Sequence, residues 1–170
     1  MKQHIKILMV DDHPMIIEGY QNTILATKEE NQEFSIDIAL NCDIADELIK
    51  KSAKNTPYDV LFFDISLPPS KDGKITSGED LAKIARVYLP NAKVIILTMF
   101  NESYRILNII KEINPEGLLI KSDLTSRELA EAFKQILYSP PYYSSTVNNF
   151  LDKTISNDIF VDDINRKILY

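Results

Sequence analysis

Val60-Leu61-Phe62-Phe63-Asp64 is a four-residue apolar run that ends abruptly on a carboxylate. A run this short, with no polar alternation, reads as a strand buried on both faces of a sheet. The same figure recurs along the chain. Ile5-Lys6-Ile7-Leu8-Met9-Val10 runs into Asp11-Asp12, Lys93 to Leu97 runs into Thr98, and Gly117-Leu118-Leu119-Ile120 runs into Lys121. A fifth segment, Phe34-Ser35-Ile36-Asp37-Ile38-Ala39, alternates apolar and polar residues, as a strand near a sheet edge does.

Helical spacing fills the intervals. Pro14 suits a first helical turn, and Ile16, Tyr20 and Ile24 follow four apart. Asp43 is placed to cap a helix with Ala45, Leu48 and Ile49 inward. Leu81, Ile84, Ala85 and Tyr88 mark a third helix, and Ile106, Ile109, Ile110 and Ile113 a fourth that stops at Asn114-Pro115. Thr125 and Glu128 form a capping-box pattern ahead of Leu129, Ala132, Phe133 and Ile136. Strands alternating with helices predict an α/β fold: a doubly wound, five-stranded parallel sheet with helices on both faces, flavodoxin-like in architecture. Beyond Tyr138 the pattern changes. Ser139-Pro140-Pro141 breaks the last helix, and Tyr142-Tyr143-Ser144-Ser145 is linker-like. Val147, Phe150, Leu151 and Ile155 fit one short amphipathic helix in a helical C-terminal tail. Asp162 is placed to cap another, whose pattern of Ile164, Ile168 and Leu169 runs off the chain end without a stop signal.

Composition narrows the function. The chain has 170 residues, 45% hydrophobic and 26% charged, which suits one domain with a real core plus a tail. A net charge of −6 argues against a bare nucleic-acid-binding domain. One cysteine, Cys42, and two histidines exclude a disulfide framework and make a Cys- or His-based metal site poor. Cys42 and His13 themselves read as a small buried side chain and a helix-entry residue. No stretch approaches the roughly 20 apolar residues of a membrane span, and the N-terminal run is too short for a signal peptide. A cytoplasmic protein is the expectation.

In open parallel sheets the ligand site lies beyond the carboxyl ends of the strands. Asp11, Asp12, Asp64, Thr98 and Lys121 all fall there. Alone, each has an ordinary explanation as a turn, cap or surface residue. Together they form a coherent chemical set. Two unit charges about 4 Å apart at an effective dielectric of about 20 repel by about 4 kcal/mol, so three carboxylates there need a proton or a cation. Oxygen ligands suit Mg²⁺ or Mn²⁺ rather than zinc. Lys121 adds a positive charge and Thr98 a hydroxyl. The combination fits a phosphoryl group attacked by a carboxylate.

At this point the sequence resembles a response-regulator receiver domain of two-component signalling, over about residues 4 to 138. The resemblance rests on Val10-Asp11-Asp12-His13-Pro14, Leu61-Phe62-Phe63-Asp64-Ile65-Ser66-Leu67-Pro68, Ile96-Leu97-Thr98 and Leu119-Ile120-Lys121-Ser122-Asp123, in order at strand ends. The first and last are most similar to the NarL/LuxR class, whose members carry a helix-turn-helix DNA-binding domain after a linker. The resemblance implies that Asp64 accepts a phosphoryl group from a sensor histidine kinase. It implies that Asp12 ligates Mg²⁺ (or Mn²⁺) directly, with Asp64 and the backbone carbonyl of Ser66 completing the site and Asp11 nearby or acting through water. It implies that Thr98 and Lys121 hold phosphoryl oxygens, and that the face from Glu102 to Leu137 is read out, in some relatives by a homodimer. It divides the chain into a receiver at 1–138, a linker with a short helix at 139–162, and the start of a truncated effector domain at 163–170, so that DNA would be contacted only through a missing part. Such a protein is a phosphoacceptor, not a turnover enzyme.

Two departures stand out. The position that usually holds an aromatic switch residue, three before the lysine, is Leu118. The glycine usual soon after the phosphoacceptor strand arrives late, as Gly78, after Pro69-Ser70-Lys71-Asp72-Gly73-Lys74. Rival classes fit less well. A flavodoxin-type flavin binder needs a phosphate loop where Asp11-Asp12 stands, and a haloacid-dehalogenase-type phosphatase needs a second acid where Ser66 stands. A degenerate receiver, acting only as an interaction module, would be expected to have lost one of the acids or Lys121.

Overall fold

The computed structural model describes residues 1–99 and 103–155. The chain alternates strand and helix: β1 (Gln3–Val10), α1 (Pro14–Ala26), β2 (Gln32–Ala39), α2 (Cys42–Lys54), β3 (Val60–Asp64), α3 (Gly78–Tyr88), β4 (Lys93–Thr98), α4 (Ser103–Glu112), β5 (Gly117–Ile120), α5 (Ser126–Tyr138) and β6 (Tyr142–Tyr143). All strand pairs are parallel, in the order β2-β1-β3-β4-β5-β6. Among the described residues no helix is long and apolar enough to cross a membrane.

The apolar runs sort their residues by strand alternation. Ile5, Ile7, Met9, Val60, Phe62, Ile95, Leu97 and Leu119 point to one face, where Ile17 and Ile24 of α1 and Leu129, Ala132, Phe133 and Ile136 of α5 cover them. Leu8, Val10, Leu61, Phe63, Val94, Ile96, Leu118 and Ile120 point to the other, under α2, α3 and α4. This double burial is why β3 reads as an unbroken apolar run. Strand β2 lies at one sheet edge, where Phe34 and Ile36 are partly buried on the α1–α5 side and Ser35 between them is exposed.

Two helix starts show how local chemistry sets boundaries. Thr125 caps α5, its hydroxyl accepting the Glu128 N–H at 3.1 Å, as the capping-box pattern predicts. Helix α2 begins earlier than expected. Asn41, not Asp43, is the cap, and its side-chain oxygen accepts the Ile44 N–H at 2.8 Å. Asp43 falls in the first turn, where its charge favours the positive helix end and its carboxylate accepts the Lys71 N–H.

The sheet has six strands rather than the expected five. The sixth comes from the tail, where Tyr142 N–H donates to the Glu116 carbonyl at 2.9 Å and Ser144 N–H to Leu118 at 3.0 Å. A two-residue strand leaves no periodicity to read; main-chain pairing with the exposed edge of β5 creates it. Residues 145–155 are helical. There Val147 is fully buried, and Phe150 and Leu151 pack on the cluster that holds Leu118, Ile106 and Ile109. The expected effector start at 163–170, the Asp162 cap, residues 156–162 of the expected linker, and Glu102 of the expected readout face lie outside the described residues.

Candidate functional site

The carboxyl ends of β1 and β3 are adjacent, because Val10 pairs with Phe63 in the central ladder. That register sets Asp11 beside Asp64. Both are almost fully buried, each 2% exposed. Lys121 leaves β5 in a single 3-10 turn and reaches back under the rim. Its ammonium lies 3.1 Å from Asp11 Oδ2 and 3.3 Å from Asp64 Oδ2. Asp12 is more open, and His13 is the most exposed of the group.

Three carboxylates against one lysine leave an excess of negative charge. Burial pushes the Asp64 carboxyl above its ordinary range, and the Asp11 carboxylate pushes it further. Lys121 and the Ser66 N–H, 3.2 Å from Asp64 Oδ1, oppose that rise without cancelling it. Burial works against the Lys121 charge as well, but its bond to Asp11 and the field of Asp64 outweigh it, so the ammonium is held above its ordinary range. The lysine therefore stays charged while Asp64 carries the strain. Asp12 Oδ1 and Asp64 Oδ2 are buried and accept no hydrogen bond. Ligand atoms of Asp11, Asp12, His13 and Asp64 lie within 4.8 Å of one another. Buried carboxylate oxygens short of hydrogen bonds and crowded around like charge are what a divalent cation would satisfy.

Gly78 supports this corner from behind. Its N–H donates to the Ile65 carbonyl at 3.1 Å. A methyl group added at Gly78 would lie 2.1 Å from the Asp64 carbonyl oxygen. The late glycine thus occupies the close approach behind Asp64, and the preceding residues loop out. The loop is built rather than loose. Ser70 Oγ donates to Asp72 at 2.7 Å and accepts the Ile75 N–H at 3.0 Å, Gly73 turns the chain at φ +73°, and Leu67 and Ile75 are buried.

No family model matches the chain. The chain is 24% identical over 160 residues to the oxygen regulatory protein NreC of Staphylococcus epidermidis, covering 91% of this chain and 67% of that protein. In structure it is similar to the isolated REC domain of RcsB from Salmonella enterica serovar Typhimurium, solved with phosphomimetic BeF3−, at a TM-score of 0.67 and 20% identity over 87% of this chain and 99% of that one. It is also similar to a LuxR-family two-component response regulator from Aurantimonas, at a TM-score of 0.70 and 23% identity over 91% and 99%. The fold is that of a response-regulator receiver domain.

Within the receiver fold, Asp11, Asp12, Asp64 and Lys121 come together as the strand-end reading places them. Ser66 lies on the same rim, its N–H on Asp64 and its side chain exposed. Thr98 ends β4 on that rim and is buried, but its hydroxyl donates to the Met99 carbonyl at 3.1 Å rather than to an acid or Lys121. Leu118 is not at the rim. It is fully buried beneath the tail, with Tyr143 as its β6 partner. Two residues at the site had only a structural reading in the sequence, His13 as a helix-entry residue, which its place at the α1 cap bears out, and Tyr20 as part of an apolar helix face. His13 joins the acids, and Tyr20 lines a cleft of about 580 Å³ between α1 and α5 that opens beside Asp64 and Lys121. His13 had a signal, its place directly after Asp11-Asp12. Tyr20 had none, because its helical spacing marks it only as inward-facing.

Proposed function

We propose that this receiver is the phosphorylation-controlled switch of a two-component regulator, with Asp64 as the phosphoacceptor. The observation that supports this best is the buried Asp64 carboxylate, which has an oxygen that accepts no hydrogen bond, Lys121 at 3.3 Å and two further acids alongside. Asp11, Asp12, Asp64 and the Ser66 carbonyl would hold Mg²⁺ or Mn²⁺; the all-oxygen part of that set fits such an ion. Bound there, the ion would supply positive charge against the phosphoryl oxygens. With the ion bound, the burial that raises Asp64 would be opposed and its carboxylate would stay ionised.

Asp64 Oδ attacks phosphorus of a phosphohistidine on a sensor kinase, the P–N bond breaks, an O–P bond forms, and the histidine nitrogen leaves with the bonding pair. Lys121, now held by Asp11 and Asp64, turns to a phosphoryl oxygen. The Thr98 hydroxyl gives up the Met99 carbonyl for another. That exchange moves the Met99 segment and biases a two-state equilibrium, read on the α4–β5–α5 side. Output through a DNA-binding effector part joined by the 139–162 segment, use of that side by a homodimer, and a cytoplasmic location complete the proposal.

Intact-protein mass after incubation with acetyl phosphate and Mg²⁺ tests it. The expected result is one added phosphoryl group, lost with EDTA and sensitive to hydroxylamine. Asp64→Asn should carry no label. Label that persists in this variant sinks the assignment of Asp64. Failure of the unaltered protein to take label or bind beryllofluoride favours a phosphorylation-independent interaction module instead.

A further inference from the structure

His13 occupies the cap position of α1, yet its side chain makes no cap hydrogen bond. The ring turns toward the acids instead. Nδ1 lies 3.0 Å from Asp11 Oδ1 and 3.0 Å from Asp12 Oδ1. Asp11 Oδ1 also accepts the His13 backbone N–H at 2.9 Å. One ring nitrogen offers one proton or one lone pair. The contact with Asp11 has hydrogen-bond geometry, whereas Asp12 Oδ1 accepts no hydrogen bond although Nδ1 is close by. Asp64 Oδ2, on a side chain 2% exposed, faces the same cluster, with the Lys121 ammonium 3.3 Å away as an ion-pair partner.

A single arrangement satisfies all three atoms. A six-coordinate divalent cation with bonds of about 2.1 Å sets neighbouring ligand atoms about 3.0 Å apart. Nδ1 stands at that spacing from both carboxylate oxygens. We infer that His13 is itself a ligand of the cation site, through the Nδ1 lone pair, so that this receiver favours first-row transition cations over Mg²⁺. Nδ1 then carries no proton, and Nε2–H faces solvent, in keeping with a ring that is 59% exposed. Imidazole is a poor ligand for Mg²⁺ and a good one for Mn²⁺, Co²⁺ and Ni²⁺, with affinity rising in that order. The inference rests on the cation reading proposed above.

Calorimetric titration of the chain with MgCl₂, MnCl₂ and NiCl₂ separately is the test, with no phosphodonor present. The unaltered protein should bind Ni²⁺ and Mn²⁺ more tightly than Mg²⁺. His13→Ala should lose tenfold or more in Ni²⁺ affinity, less for Mn²⁺, and under threefold for Mg²⁺. His4→Ala, changing the only other histidine, should leave all three unchanged. Equal loss for every ion in His13→Ala makes His13 a positioning residue for the carboxylates and overturns the inference, as does no loss for any. Retention of Mg²⁺ affinity in Asp12→Asn and Asp64→Asn is a different failure, that of the cation reading itself. The ring is exposed, so the His13 variant should fold, and a thermal melt in EDTA checks it.

Discussion

Asp64 is held in a state that costs the fold something. Burial and the neighbouring Asp11 raise its acidity range above the ordinary 3.8, so the ionised form is less at home in the folded chain than in the unfolded one. A carboxyl whose folded value is raised helps stability only while protonated, at low pH. Its cost grows as pH rises through 3.8 toward the raised folded value and is constant above it. Asp64→Asn removes that cost. In EDTA this variant should therefore melt above the unaltered protein near neutrality, the gap closing as pH falls through the carboxylate range. Melting curves across that range check it. A lower melting temperature for the variant at neutral pH would show that the Lys121 contact outweighs burial. Such a cost at Asp64 fits the role proposed for it, in which a bound cation would supply the compensation.

Among the elements, the β3–α3 connection shows how an insertion is absorbed without disturbing a site. The carbonyl of Asp64 and the Cα of Gly78 touch closely enough that no Cβ fits between them. Residues between Pro68 and Ser77 are free to form their own turn, pinned by Ser70 and Asp72 and tied to α2 through Lys71 N–H on Asp43 and Cys42 Sγ on the Pro68 carbonyl. Gly78→Ala should push α3 away from β3 and cost about 1–3 kcal/mol, the range for overpacking. It should also slow labelling of Asp64, since the displaced backbone is that of the proposed phosphoacceptor. Denaturant unfolding with a parallel labelling time course reads both. Stability lost with labelling intact would show that Gly78 is only a packing residue. In the sequence the glycine looked displaced, because spacing along a chain counts looped-out residues that contacts in space ignore.

Across the whole molecule, the tail closes the sheet edge next to Leu118. Tyr143 pairs with Leu118, Val147 is buried in the core cluster that holds Leu118 and Ile106, and the Thr146 hydroxyl donates to Asp123 at 2.9 Å. Val147→Ala should cost about 1.5 kcal/mol, the worth of two buried carbons at about 0.8 each. The same amount lost at Val147 and at a solvent-facing tail residue such as Lys153 would show that the tail does not pack. Much of this architecture was legible in the chain alone. The apolar runs fixed the parallel strands because only a doubly covered strand tolerates apolar residues on both faces. The polar residues that end them marked the rim because strand ends in such sheets share one side. Asp11, Asp12, Asp64 and Lys121 followed from that without any coordinates. What the chain could not reveal depended on contacts between distant residues. The sixth strand exists through main-chain bonds to β5, which carry no side-chain pattern. The approach of Gly78 to Asp64 is decided by packing across elements, and periodicity along one element is blind to it. The side-chain turns of His13 toward its neighbouring acids and of Thr98 toward Met99 are local, and a hydrophobic pattern does not read them either.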